Sequence, residues 1–116
     1  MFDKFGKLAG LMSNLPRLQE EMRKFQERLP QLAAEGDAGA GMVKVRVNGR
    51  LEVLSCSITY EAMRLNDREM LEDLVAAAIN QALTKVRQLL AEESAKMAAN
   101  IGLPPGMLGG GFPGMG

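Results

Sequence analysis

The sequence predicts an α+β fold in which a helix, a small antiparallel β-sheet and a long C-terminal helix follow one another. Three patterns predict it. Apolar residues recur at heptad spacing over 15–32, apolar and basic residues alternate over 42–53, and a wide apolar stripe runs along 70–90. The sheet consists of a hairpin, with a third short strand near 35–41 left open. Because the helices carry more apolar surface than one hairpin can cover, the pattern also predicts a homodimer.

The first helix is predicted to begin near Leu15, where Pro16 fits the first turn and Ser13 or Asn14 can cap it. Pro30 should end the regular helix near Leu29. A coiled-coil seam and an amphipathic helix packed on its own sheet explain the apolar positions equally well. These positions are Leu15, Leu18, Met22, Phe25, Leu29 and Leu32.

The hairpin is predicted from Asn48-Gly49, a dipeptide typical of the two-residue type I′ turn. In the strand before it, valines at 43, 45 and 47 should face one side and the basic residues the other. After the turn the apolar positions change parity near Val53-Leu54, which indicates a β-bulge, a bend or a break into two strands. Cys56 falls in the apolar set, and we expect a buried thiol there.

A connector at residues 60–65 leads to the second helix, which Asn66 or Asp67 should cap. This helix is expected to run for about 32 residues, roughly 48 Å, and to end at Asn100-Ile101-Gly102. Its far half must therefore pack on the first helix, on a partner chain, or on both. Residues 1–105 form one predicted α-β-α domain with a flexible lead-in at 1–13. The Gly/Met-rich residues 106–116 form a predicted disordered tail.

Composition narrows the classes of function. The 116 residues include no His and one Cys, so we expect no enzyme, no metal site of the usual nitrogen and sulfur type, no cofactor and no small-molecule substrate. No apolar stretch approaches the ~20 residues of a membrane span, and nothing resembles a secretory signal. We therefore expect a protein of the cytoplasm that does not partner a membrane.

Basic side chains are the candidates for function, although 14 basic and 14 acidic residues cancel overall. On a hairpin, alternating cations form one face that can contact phosphates, yet a solvated outer face gives the same pattern. The cations of the first helix are interleaved with acids, which is typical of a salt-bridged surface. The candidate DNA contacts are Arg17, Arg23, Lys24 and Arg28 on the helix, and Lys44, Arg46 and Arg50 on the hairpin.

Three separated blocks resemble the YbaB/EbfC family of nucleoid-associated proteins: residues 41–49, 67–82 and 103–106. The resemblance covers nearly the whole chain, including the Met-Phe opening. It implies a three-stranded antiparallel sheet, a tweezer-like homodimer joined through the sheets, and a DNA-binding protein of the bacterial or organellar nucleoid. The chain departs from the family pattern at Ile58-Thr59-Tyr60-Glu61, where many relatives have Ile-Asp-Pro, and in its Gly/Met-rich tail. The family has no crisp contact motif, so the resemblance assigns no site residue.

Two functions therefore remain open. The first is a homodimeric protein of the nucleoid that binds duplex DNA, mainly through phosphates, and affects nucleoid organisation and gene expression. The alternative is a protein-binding adaptor, for example in protein targeting or biogenesis, that uses apolar helical arms and the Met/Gly tail. Deletion of residues 106–116 discriminates them, since only an adaptor should lose partner capture.

Overall fold

The computed structural model describes residues 15–102, so the predicted lead-in and tail lie outside the described residues. The observed order of elements confirms the α+β fold class. The helices are α1 (Leu15–Arg28), α2 (Tyr60–Arg64) and α3 (Arg68–Asn100), with a 3-10 helix at Leu29–Gln31, and the strands are β1 (Ala33–Ala38), β2 (Val43–Asn48) and β3 (Val53–Ile58).

The chain divides into two compact units. One unit is Arg28–Ala91, which contains the sheet, α2 and most of α3. The described part of the other consists of residues 15–27 of α1 and residues 92–102, which include the C-terminal end of α3. The far end of the long helix thus groups with the first helix, which was one of the alternatives that the apolar stripe left open. The boundaries of a single domain at 1–105 stay a prediction.

The sheet is antiparallel in the order β1-β2-β3, so β2 is central and the other two strands are its edges. The strand at residues 33–38, left open by the sequence, is as long as the two strands of the hairpin. The register shifts between Arg46 and Val47, where Ser55 and Val53 are the partners on β3. Leu54 is therefore the extra residue of a β-bulge, and this confirms the irregularity predicted from the change in parity.

The core lies between the inner face of the sheet and α3. The three valines of β2 are fully buried and pack with Ala78, Ala82 and Val86 of the helix, which confirms their predicted facing. Gly36 lets β1 approach closely, because a Cβ there would overlap the carbonyl oxygen of Ala78 and the amide nitrogen of Ala82. Small residues thus set the separation of β1 from α3.

The helix boundaries follow the predicted signals. The helix α1 gives way to the 3-10 helix that contains Pro30. Asp67 caps α3, since its Oδ1 accepts a hydrogen bond of 3.0 Å from the amide of Met70. The far end closes at Gly102, whose φ is +79°. The predicted connector is a short helix, α2, because the hydroxyl of Thr59 caps the amide of Ala62 at 3.2 Å.

The turn between β2 and β3 is not the predicted type I′ turn. Neither Asn48 nor Gly49 has a positive φ; the left-handed residue is Leu51, with a φ of 62°. The amide of Leu51 donates to the carbonyl of Asn48 at 2.9 Å, which closes a three-residue loop at 49–51. Gly49 serves another purpose: its amide donates to the carbonyl of Leu29 at 2.9 Å, and a Cβ there would lie 2.5 Å from that oxygen.

The signs of φ expected for a type I′ turn occur instead in the loop between β1 and β2. Ala40 and Gly41 have φ values of 54° and 88°, and the amide of Met42 bonds to the carbonyl of Gly39 at 3.2 Å. Ala40 therefore holds a backbone conformation that costs a residue with a Cβ about 1 kcal/mol.

The prediction of a buried Cys56 is wrong, since this thiol is exposed. Val45, which pairs with Cys56 across the ladder, is completely buried. The two residues lie on the same face of the sheet, but only Val45 is covered. A helix is about 10 Å across and strands are about 4.8 Å apart, so one helix covers about two strands. The helix α3 covers β1 and β2, and every residue of β3 is exposed.

Candidate nucleic-acid interface

The outward face of β2 carries two of the predicted cations. Lys44 and Arg46 are exposed and alternate with the buried valines, so both side chains lie on the face of the sheet opposite α3. The central strand is anchored by its apolar face, and these cations therefore project from a rigid element. Such a placement suits contacts with a polyanion, because little backbone order must be created on binding.

Each of these cations has an acidic neighbour on one side and a hydroxyl on the other. Arg46 pairs in register with Glu35 of β1 and with Ser55 of β3. Lys44 pairs in the same way with Asp37 and Ser57, and all four of these neighbours are exposed. Side chains directly opposite on neighbouring strands lie about 5 Å apart at Cβ. The β3 side of the cations is thus the side that can accept a phosphate without meeting a carboxylate.

Arg50 lies in the loop at 49–51, and its side chain is exposed. Its backbone is fixed by Asn48, whose Oδ1 accepts hydrogen bonds from the amides of Arg50 at 3.0 Å and Glu52 at 3.1 Å. The Asn48 amide group in turn donates to Glu52 Oε1 at 3.2 Å. Asn48 is 4% exposed, so the sequence signal that predicted a turn marks a buried polar side chain that organises the loop.

The four candidate cations of α1 are exposed, and acids of the same helix lie beside Arg23 and Lys24. Arg23 bonds to Glu20 through two nitrogens, one of them at 3.1 Å, and to Glu27 at 2.5 Å. The nearest carboxylate oxygen of Glu21 is 3.9 Å from Lys24 Nζ. Arg17 and Arg28 complete the set at the two ends of the helix.

The ion pairs of Arg23 shift the pKa values of the groups involved. The hydrogen bond to Glu20, with the attraction of both carboxylates, raises the pKa of the Arg23 guanidinium further above its usual range. The same hydrogen bond lowers the pKa of Glu20. A phosphate that approaches Arg23 must compete with two carboxylates already in place. The interleaving of charges in the sequence predicted this salt-bridged surface.

The structure places the strand candidates in one compact unit and Arg17, Arg23 and Lys24 in the other. Three exposed arginines lie outside the candidate set: Arg64 on α2, and Arg68 and Arg87 on α3. The signal for Arg87 was available, because it lies outside the apolar stripe of its helix.

Residues 15–102 contain no group of three or more Cys, Asp and Glu side chains placed to hold a metal ion. Within the same residues, no helix is long and apolar enough to cross a membrane.

The fold and its exposed cations are those of a small α+β binding protein with basic side chains displayed on a sheet and on a helix. The model of the YbaB/EbfC DNA-binding family matches residues 5–101, and the chain belongs to this family of nucleoid-associated DNA-binding proteins. Among solved structures, the crystal structure of the uncharacterized protein HP0035 from Helicobacter pylori is similar. The two chains are 25% identical with a TM-score of 0.56, and the match covers 84% of this chain and 95% of HP0035.

Proposed function

We propose that this protein is a homodimer of the cytoplasmic nucleoid that binds duplex DNA mainly through its phosphates, and that it thereby affects nucleoid organisation and gene expression. Its membership of a DNA-binding family carries the proposal. The contacts are assigned to Arg17, Arg23, Lys24, Arg28, Lys44, Arg46 and Arg50, all of which are exposed.

The strand cations are the stronger part of this assignment. Lys44 and Arg46 stand on an anchored strand beside hydroxyl groups, and hydroxyls also bond to phosphate oxygens. On α1, Arg23 must first exchange carboxylates for phosphate, so its net gain is smaller. With zero net charge, the chain has no overall attraction to a polyanion. Binding should therefore be local, sensitive to salt and weakly selective for sequence.

The decisive experiment is a titration of a short fluorescent duplex with the purified protein at several salt concentrations, followed by anisotropy. The logarithm of the association constant should fall linearly with the logarithm of the salt concentration. Each lost phosphate contact should reduce the magnitude of this slope by about 0.9. The variant Lys44→Ala/Arg46→Ala should weaken binding and flatten the slope by about 1.8 for each protomer whose strand contacts the duplex. The control Arg64→Ala/Arg68→Ala removes the same charge from other exposed sites and should change the slope less. Absence of binding at low salt would contradict the proposal.

The helix assignment has its own variant. Reversal of three charges by Arg23→Glu, Lys24→Glu and Arg28→Glu should weaken duplex binding, because it replaces attraction with repulsion along one helix. An unchanged affinity would remove α1 from the interface. The strand assignment would then be tested by Lys44→Ala/Arg46→Ala alone.

A protein-binding adaptor is the second candidate, and exposed apolar side chains on α2 favour it. Tyr60 is 85% exposed, and Met63 and Leu65 are more than half exposed. Removal of residues 106–116 should abolish capture of a protein partner by an adaptor and should leave duplex affinity unchanged in a DNA-binding protein. One truncated chain, measured for partner capture and for duplex affinity, therefore discriminates between the two candidates.

A further inference from the structure

The outer face of the sheet, opposite α3, carries a short repeat of polar side chains. Two neighbouring rows cross the three strands, and each has the order carboxylate, cation, hydroxyl in the same direction. The rows are Glu35, Arg46 and Ser55, and then Asp37, Lys44 and Ser57. All of these side chains are exposed. A surface that repeats in this way suits a ligand that itself repeats.

The two cations of the rows are not held by the carboxylates beside them. Among residues 15–102, the side chains of Lys44 and Arg46 form no ion pair and no hydrogen bond. Arg23 on α1 is different, because its guanidinium is bonded to two carboxylates of its own helix. A phosphate that reaches the strand cations therefore displaces no carboxylate, and the full attraction contributes to binding.

The serine hydroxyls of β3 lie where they can complete the binding of a phosphate. Ser55 is directly opposite Arg46, and Ser57 is directly opposite Lys44, with about 5 Å between the Cβ atoms of each pair. Two hydrogen bonds of about 2.8 Å that meet at one phosphate can span donors about 5 Å apart. The hydroxyl can thus donate to one phosphate oxygen while the cation binds another.

The spacing of the rows matches that of consecutive phosphates in DNA. Lys44 and Arg46 are two residues apart on β2, so the rows are about 6.8 Å apart. Consecutive phosphates of one strand of B-form DNA are about 6.5 Å apart, because each step rises about 3.4 Å and turns about 35° around the helix axis. The serine side chains are short, so their hydroxyls keep the spacing of the strand. The two rows therefore fit two phosphates of the same DNA strand.

We propose that β2 and β3 form a site for two consecutive phosphates of one DNA strand, with Ser55 and Ser57 as contact residues beside the two cations. This inference rests on the DNA binding of the proposed function, and it adds two contact residues and the geometry of the site. The DNA backbone is the occupant because it is anionic, repeats at the spacing of the rows and accepts hydrogen bonds from hydroxyls. The site makes no contact with a base, so it adds no preference for sequence.

The first test uses the full-length wild-type protein and two modified duplexes of equal length. Both carry the same number of neutral methylphosphonate linkages in each strand. In the alternating duplex every second linkage is neutral, so no two consecutive phosphates are charged; in the block duplex the neutral linkages are collected at one end. Anisotropy should show at least tenfold weaker binding to the alternating duplex, because one of two charge-assisted contacts is lost.

Two variants show which side chains carry this difference. Lys44→Ala/Arg46→Ala should lose most of the tenfold preference for the block duplex, because it lacks both cations of the site. The matched control Arg64→Ala/Arg68→Ala removes the same charge from other exposed positions and should keep the preference. Loss of the preference in the control as well would assign it to local charge density and would overturn the site.

The second test removes the hydroxyls without a change in charge. Ser55→Ala/Ser57→Ala should weaken binding to an unmodified duplex about tenfold, since two hydrogen bonds to phosphate are lost. The salt dependence should equal that of wild type, because no cation is removed. The control Thr84→Ala removes an exposed hydroxyl of α3, which bonds to the carbonyl of Asn80 at 3.0 Å, and should leave the affinity unchanged.

Failure of the site and failure of the proposed function give different results. Equal affinity of wild type for the alternating and block duplexes would overturn the site, and so would wild-type affinity of Ser55→Ala/Ser57→Ala. In both cases the unmodified duplex is still bound, and the proposed function stands. Absence of binding to the unmodified duplex at low salt would contradict the proposed function and the site together.

Discussion

The two edges of the three-stranded sheet have the same length but opposite surfaces. The edge strand β1 carries two exposed carboxylates, packs small residues against α3, and has its backbone bonded to Gln81 and Lys85. The edge strand β3 carries no charge, and all six of its residues are exposed. One helix is wide enough to cover two strands, so the third strand is left uncovered.

The difference teaches that exposure in this fold has two causes. On β1 the exposed side chains are charged, as is typical of a surface that faces solvent. On β3 none is charged and four of the six are apolar. Exposed apolar side chains grouped in this way are typical of interaction surfaces.

The largest effect is expected where β1 meets α3. Gly36→Val should lower the free energy of unfolding by about 3 kcal/mol, because the new side chain overlaps backbone atoms of Ala78 and Ala82, which cannot rotate away. Urea denaturation at one fixed protein concentration measures it. The control Asp37→Ala changes an exposed residue of the same strand and should stay within about 0.5 kcal/mol of wild type.

A lysine placed on either edge tests the comparison directly. Cys56→Lys should raise the dissociation constant of the proposed homodimer at least tenfold, about 1.4 kcal/mol, because it places a charge on the uncharged edge strand. Asp37→Lys alters the charge by more but lies on the covered edge, and it should leave the dimer unchanged. Sedimentation velocity over a range of concentrations gives both constants. Equal effects on the two edges would refute the contrast.

The strand cations have carboxylates beside them on β1 and hydroxyls beside them on β3. Removal of the carboxylates should therefore change the affinity for DNA. Glu35→Gln/Asp37→Asn should strengthen duplex binding about threefold, because it removes carboxylates that repel phosphate beside Arg46 and Lys44. Anisotropy at fixed salt measures the change. Asp73→Asn/Glu92→Gln removes two exposed acids of α3 and serves as the matched control. A similar gain in the control would show that only net charge matters.

The smallest effect concerns the loop that connects β1 to β2. Ala40→Gly should raise the free energy of unfolding by about 0.5–1 kcal/mol, because glycine adopts the observed φ of 54° without the Cβ clash, less its own entropic cost. Thermal unfolding detects a change of this size. The dimer should be unaffected, since Ala40 lies in the loop between β1 and β2 and is not a residue of β3. A loss of stability would mean that the Ala40 methyl group makes a favourable contact.

Much of the fold could be predicted because its signals are local. The alternating valines, Pro30 and the Asp67 cap each act within a few residues, and each prediction was confirmed. The failures concern partners distant in the chain. Gly49 is required by the carbonyl of Leu29 rather than by the turn, and local statistics carry no sign of that contact. Whether Cys56 is buried depends on how many strands α3 covers, and no residue of β3 encodes that number.

The candidate site was predictable only as a set of exposed cations. Alternation placed Lys44 and Arg46 on the outer face, and that placement holds in the structure. The acids beside them come from β1, a strand whose existence the sequence left open. Spacing of three and four residues anticipated the ion pairs of Arg23. The role of these cations in binding DNA stays a prediction, since charge shows where a phosphate can be held and not whether it is.

The covering of β1 by Gln81 and Lys85 has a consequence for the size of the assembly. A sheet with one open edge can add one copy and is then complete, so association stops at a closed pair. A sheet with two open edges can add copies at both ends without limit and grows into a fibre. The side chains of Gln81 and Lys85 occupy one outward amide and one outward carbonyl of β1, and they therefore hinder such growth at this edge.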